Sequence, residues 1–129
     1  MRYVVDTHAL VWHLTTDHRL GAQARRILND DSAGLIIPSI VLAEAKHIAD
    51  RKRIPLTFQE IFDEITFATN ATIFPLDEFV INHLPNNLEI HDGIIVATAL
   101  YCKEYFGDEI ALLTNDRTVT QSGLVPIIW

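Results

Sequence analysis

The chain has 129 residues, of which 49% are hydrophobic and 21% charged, and it carries a formal net charge of −7. Its pI of about 5.2 and mean hydropathy of +0.17 exclude a largely disordered chain and fit a single domain over residues 1–129 with one core. The acidic balance argues against tight nonspecific nucleic-acid binding unless a bound cation reverses the sign locally.

Arg2 to Val5 reads as a short buried strand that begins at once, with no signal peptide before it. Thr7 to Leu14 follows as a helix, with Leu10, Val11 and Leu14 at helical spacing. Its two histidines, His8 and His13, are expected on the exposed side. Asp17-His18-Arg19 reads as a turn, and Leu20 to Asn29 as a helix with an apolar stripe of Leu20, Ala24, Ile27 and Leu28. Leu35 to Ile37 is the second strand, and a helix starts at Pro38-Ser39 and runs to about Ala49. Thr57 and Glu60 have the spacing of a capping box, and Phe58, Ile61, Phe62 and Ile65 then follow at i, i+3, i+4 and i+7. Ile73-Phe74 is a third strand ended by Pro75, and Asp77 is placed to cap a short helix, Glu78 to His83. After the loop Pro85-Asn86-Asn87 comes a helix from His91 to Phe106. Its first half is apolar nearly all round, as befits a central, buried helix, and Gly107 is its stop signal. Cys102, the only cysteine, belongs to this helix; it permits no intrachain disulfide, and its apolar neighbours predict a packing role. Ile110 to Leu113 and Leu124 to Ile128 complete five strands. Strands alternating with helices predict an α/β architecture of three layers, α/β/α, around a five-stranded parallel sheet. No apolar run approaches the roughly 20 residues of a membrane span, so a soluble, cytoplasmic protein is expected.

Four acids stand where such a sheet places its functional edge: Asp6 after the first strand, Glu44 in the helix after the second, Asp92 in a helical first turn and Asp116 after the fourth strand. Each has a plainer reading. Asp6 and Asp116 are natural helix N-caps, Asp92 suits the helix dipole, and Glu44 can be neutralised by a lysine or arginine. An N-cap role does not exclude metal binding, however, and carboxylates gathered at one edge repel one another unless a cation lies between them. Oxygen donors without a cysteine or a close histidine pair suit Mg²⁺ or Mn²⁺ rather than Zn²⁺. The chemistry such a site supports is metal-assisted hydrolysis of a phosphodiester.

Four segments carry a resemblance: Val5-Asp6-Thr7-His8-Ala9-Leu10, Ser39-Ile40-Val41-Leu42-Ala43-Glu44, His91-Asp92-Gly93-Ile94-Ile95-Val96-Ala97-Thr98-Ala99, and Leu113-Thr114-Asn115-Asp116. In this order and spacing they resemble the PIN-domain ribonucleases, most closely the toxin subunits of VapBC-type toxin–antitoxin pairs, over essentially the whole chain. The resemblance implies a parallel five-stranded sheet with helices on both faces and Mg²⁺- or Mn²⁺-dependent cleavage of RNA. It also implies a homodimer and inhibition by a cognate antitoxin. Under it, Asp6, Glu44, Asp92 and Asp116 would be the catalytic, metal-binding acids, with Thr7 and Thr114 as hydroxyls that support them or face the substrate. The chain departs from the pattern in one place. Many relatives carry a basic residue after the third acid, where this chain has Gly93; the glycine answers either to packing or to close approach of a phosphate, and the missing cation bears on substrate affinity.

Lys46, His47, Arg51, Lys52 and Arg53 form the only dense basic cluster, and Glu44, His47 and Arg51 share one helix face. Arg51 is thus a candidate for steering RNA phosphate, against the plainer reading of cations offsetting a helix dipole. His91 can orient Asp92, bind substrate or cap its helix. The helix pair around 43–49 and 58–68 presents an apolar surface whose plainest fate is core packing. Two other functions fit less well. A phosphoryl-accepting receiver domain needs an acidic pair after the first strand, where only Asp6 stands. A catalytically inactive PIN-like binding module would have no need of all four acids.

Overall fold

The computed structural model describes residues 1–129. Five strands, β1 (Arg2–Val5), β2 (Gly34–Pro38), β3 (Ala71–Phe74), β4 (Ile110–Leu113) and β5 (Ile127–Ile128), alternate with seven helices. The helices are α1 (Thr7–Leu14), α2 (Ala22–Leu28), α3 (Ser39–Asp50), α4 (Phe58–Phe67), α5 (Glu78–Ile81), α6 (Ile90–Phe106) and α7 (Arg117–Ser122). Every pairing is parallel, in the order β3-β2-β1-β4-β5. The expected three-layer α/β/α arrangement with a five-stranded parallel sheet is the one observed.

The strand order explains where a site can form. From β1 the chain winds outward through β2 to β3, then returns to the other flank of β1 with β4 and β5. The winding reverses between β1 and β4, which pair with Val4 opposite Leu112 and Val5 opposite Leu113. At such a reversal the connections leave in opposite directions and a crevice opens beyond the strand C-termini. The inner strands are apolar because helices cover both faces: Val4, Val5, Ile36, Ile37 and all of β4 are buried. α6 supports the sheet with an unbroken buried run from Gly93 to Ala99. It ends at Gly107, whose φ of 62° lies in the left-handed region. α4 begins with the expected capping box of Thr57 and Glu60 and buries Ile61 and Ile65, while Phe58 and Phe62 are half-buried. Asp77 caps α5 as expected, accepting from the Phe79 and Val80 amides.

Several boundaries depart from the sequence reading. α2 begins at Ala22, not Leu20, because Gly21 is extended (φ −62°, ψ 151°). Leu20 is still buried, reaching the core from the preceding turn. β3 reaches back to Ala71, drawn into register opposite Leu35. α5 ends at Ile81 rather than His83. β5 is confined to Ile127–Ile128 instead of starting at Leu124; Gly123 is left-handed, and Pro126 lacks an amide, offering only its carbonyl to the Leu112 N–H at 2.8 Å. Pro38 is the N-cap of α3, and the Ser39 hydroxyl accepts from the Leu76 amide at 3.0 Å. His13 is half-buried rather than exposed. Burial lowers its pKa, with Glu64 acting in the opposite sense and Arg25 reinforcing the shift.

Two glycines answer to different constraints. A Cβ on Gly21 would overlap the backbone and indole of Trp129, lying 2.6 Å from its Cδ1. A Cβ on Gly93 would meet Leu84 and Pro85 at 3.6 Å and 3.9 Å, ordinary contact distances. Gly21→Ala is therefore expected to lower stability by about 1–3 kcal/mol through overpacking. Gly93→Ala is expected to raise it by up to about 1 kcal/mol through helix propensity. Urea denaturation of the two variants checks both signs.

Candidate functional site

An aspartate beyond each of β1 and β4 starts the next helix: Asp6 directly after Val5, and Asp116 after the intervening Thr114 and Asn115. Asp6 caps α1: its Oδ1 accepts from the Ala9 amide at 2.8 Å. Asp116 caps α7 in the same way, its Oδ1 accepting from the Val119 amide at 2.8 Å. The plainer N-cap reading of both is therefore correct, but each cap uses one carboxylate oxygen for the helix. Parallel pairing brings the two together across the winding reversal, and the Asp6 amide donates to the Leu113 carbonyl at 3.3 Å.

Glu44, the sixth residue of α3, forms no ion pair with any lysine or arginine. Its Oε1 accepts from the Thr7 hydroxyl at 3.0 Å. Thr7 is 6% exposed, so this bond ties the first turn of α1 to the middle of α3. Thr114, 2% exposed, accepts from the Asp116 amide through Oγ1 at 3.1 Å and also supports the Asp6 carboxylate. Asp92 is the least supported acid: its carboxylate accepts no hydrogen bond from the protein, while its amide donates to Glu89. Glu89, not His91 or Asp92, is the N-cap of α6; its Oε2 accepts from the His91 amide at 2.9 Å and its Oε1 holds His91 Nδ1 at 2.8 Å.

All four acids, both threonines and His8 line one cavity of about 160 Å³, completed by Ile48, Ile95, Leu112 and Val119. No lysine or arginine lines it. The crowding of negative charge is visible in the carboxyl groups. Burial raises the pKa of Asp6 and the charge of Asp116 adds to the shift, against the Thr114 and Ala9 hydrogen bonds and His8. Burial likewise raises that of Asp92, reinforced by the charges of Asp116, Glu89 and Glu44. Desolvation leads both shifts, and the neighbouring carboxylates add to it.

No three His, Cys, Asp or Glu side chains form a ready-made cluster around one point. The donor set nevertheless fits a hard divalent ion. Mg²⁺ keeps several of its waters and needs only one or two direct carboxylates, and the capping aspartates each keep an oxygen that no helix amide uses.

Arg51 does not line this cavity. It is the exposed C-cap of α3, and Lys52 and Arg53 beside it are exposed as well. Lys46 is occupied by Asp50 at 2.5 Å. Sequence reasoning missed two residues. His8 is exposed, as expected, but its part in lining the cavity was not foreseen. Glu89 went unread because the apolar run begins only at Ile94; its position just before an uncapped helical segment was the available signal. Gly93 is buried beside Leu84 and Pro85 with room for a methyl group, so packing alone does not require a glycine there.

The PIN domain family model matches residues 3–121. The chain belongs to the PIN-domain family, whose members are generally metal-dependent nucleases acting on RNA. No curated relative matches the chain in sequence. No helix is long and apolar enough to cross a membrane.

The raised pKa of Asp92 fixes the sign of a linkage effect. Between the ordinary value of 3.8 and its raised folded value, the native state binds more protons than the unfolded state, so stability falls as pH rises through that window. Asp92→Asn is accordingly expected to melt at a higher temperature than the unsubstituted protein at neutral pH without metal, and the gap should narrow as the pH is brought down toward 3.8. Thermal melts across pH in the presence of a chelator measure this.

Proposed function

We propose that the protein is an Mg²⁺- or Mn²⁺-dependent endoribonuclease and the toxin component of a VapBC-type toxin–antitoxin pair. The observation that carries the nuclease reading is a cavity lined by four carboxylates and no lysine or arginine, at the reversal point of the sheet of a PIN-domain chain. A polyanionic substrate would be repelled from it unless cations came first.

Asp6, Glu44, Asp92 and Asp116 would hold the metal. When bound, it supplies Lewis-acid polarisation of the phosphodiester and a water of lowered pKa. The protein's own part is positioning. The N-cap bonds of Asp6 and Asp116 hold their carboxyl groups to the helix starts, and Thr7 fixes the rotamer of Glu44. Ile95, Leu112 and Val119 form an apolar lining that strengthens charge interactions beside it. The toxin reading rests on the four resembling segments, and with it come a cognate antitoxin, a homodimer and a cytoplasmic setting. Arg51 would act at a distance from the cavity, drawing the substrate backbone along α3.

The absence of a preformed three-ligand cluster favours a second reading, an inactive PIN-like binding module. Metal titration separates the two. An active site should be stabilised by Mg²⁺ or Mn²⁺, by about 2.7 kcal/mol at a hundredfold excess over Kd, and should cleave RNA. Asp6→Asn should remove cleavage and growth inhibition while leaving a folded protein. An Asp6→Asn variant that stays fully toxic would end the assignment. Charge reversal at Arg51 and Lys52 should weaken cleavage most at low salt, where steering is unscreened; rates unchanged across salt concentrations would remove the steering role.

A further inference from the structure

A second cavity of about 420 Å³ adjoins the first and shares Glu44 and Ile48 with it. The rest of its lining is Ile40, Ala43, His47 and His91. Its composition is different in kind: three apolar side chains and two imidazoles surround a single carboxylate, which belongs to both cavities. The acid cavity, at about 160 Å³, has room for about five waters at roughly 30 Å³ each. That volume leaves no place for a nucleobase beside an ion and a phosphate group.

The imidazoles differ in how they are held. His91 is fixed from below, because Glu89 accepts from its amide through Oε2 and engages Nδ1 through Oε1. Its ring is thereby set in one orientation, and its Nε2 has no partner in the protein. His47 projects from α3, exposed, and its ring makes no hydrogen bond to the protein. Apolar side chains of Ile40, Ala43 and Ile48 share this lining with two imidazoles, a combination that suits a flat heteroaromatic molecule. Stacking on aromatic side chains together with contact to base edges is how proteins hold unpaired RNA bases.

We propose that this cavity is a nucleobase subsite, holding the base next to the phosphodiester that occupies the acid cavity, with His47 and His91 as its stacking and edge-reading groups. The inference rests on the nuclease reading for its substrate, and it assigns to α3 and the start of α6 the choice of which RNA sequence enters. Because Glu44 is common to both cavities, a base seated in one places the adjoining phosphate against the other. The basic end of α3, with Arg51 one turn beyond His47, lies on the same helix as the subsite.

The test uses the full chain with Mg²⁺ present. The imidazole C–H resonances of His47 and His91 are assigned with His47→Ala and His91→Ala variants and followed by NMR against nucleoside monophosphates and ribose 5-phosphate. The expected result is that the nucleoside monophosphates shift both rings and ribose 5-phosphate shifts neither. A short oligoribonucleotide and the same oligomer with an abasic residue beside the scissile bond are then compared in cleavage. The unsubstituted protein should favour the base-bearing oligomer by about tenfold in kcat/KM, within the range that one stacked base supports. That preference should fall toward one in His47→Ala or His91→Ala, chiefly through KM, and return in His47→Phe.

A protein that cleaves RNA but shows silent imidazoles and no abasic preference loses the subsite and keeps the nuclease; the cavity would then be open to a segment of a protein partner. A protein that cleaves nothing while both rings still respond to base keeps the subsite and loses the nuclease.

Discussion

Parallel pairing of β1 between β2 and β4 is the constraint from which the rest of the site descends. It puts the ends of β1 and β4 side by side, Val5 opposite Leu113, so that Asp6, one residue beyond β1, and Asp116, three beyond β4, emerge at the same edge of the sheet. The helices they start anchor each aspartate by one backbone hydrogen bond; Asp6 is largely desolvated, whereas Asp116 is exposed. Glu44 arrives from the β2 side on α3 and Asp92 from the start of α6, the helix whose buried run covers the sheet. Burying a carboxylate without a partner is costly. Here the cost is met partly by caps and hydroxyls and partly left standing, as the raised Asp6 and Asp92 show.

That unrelieved charge is informative because the surrounding structure could have relieved it and does not. The basic residues of α3 stop short of the cavity: Lys46 is engaged with Asp50, and Arg51 turns the helix end. Elsewhere some acids do meet a cation. Asp17 is held well below the usual carboxylate range by its hydrogen bonds from Arg19. The acids of the cavity pair with no lysine or arginine, and they are gathered in one hollow. The neighbouring cavity has the complementary character, apolar and imidazole-lined, and the two meet at Glu44.

Much of the fold was legible because local and global signals agree. Thr57 and Glu60 announced a capping box and form one. Asp77 announced a cap and makes it, and the apolar run of α6 announced burial and is buried. Misreadings occurred where a tertiary contact overrode a local signal. Leu20 looked helical because it is buried, but it is buried from a turn. Ala71 looked like loop but pairs with Leu35. His13 looked exposed on a helix whose outer face is partly covered by neighbours. At the site, Asp6 and Asp116 stand out as carboxylates following strands, whereas Glu44 and Asp92 lie within helices and are marked by the resembling segments. His8 and Glu89 could not be found, because one is placed by the cavity's shape and the other by the chain's approach to α6.

Alone, the sequence determined the alternation of strand and helix, the caps, the buried character of the strands and the identity of the four acids, since each is written in spacing and side-chain type within a few residues. Tertiary structure decided which of those acids share a cavity, which of their oxygens the helix caps consume, that no cation of the chain reaches them, and that two imidazoles from α3 and α6 flank the same hollow. These are relations between segments tens of residues apart, and only the register of the sheet and the packing of helices across it bring them into being.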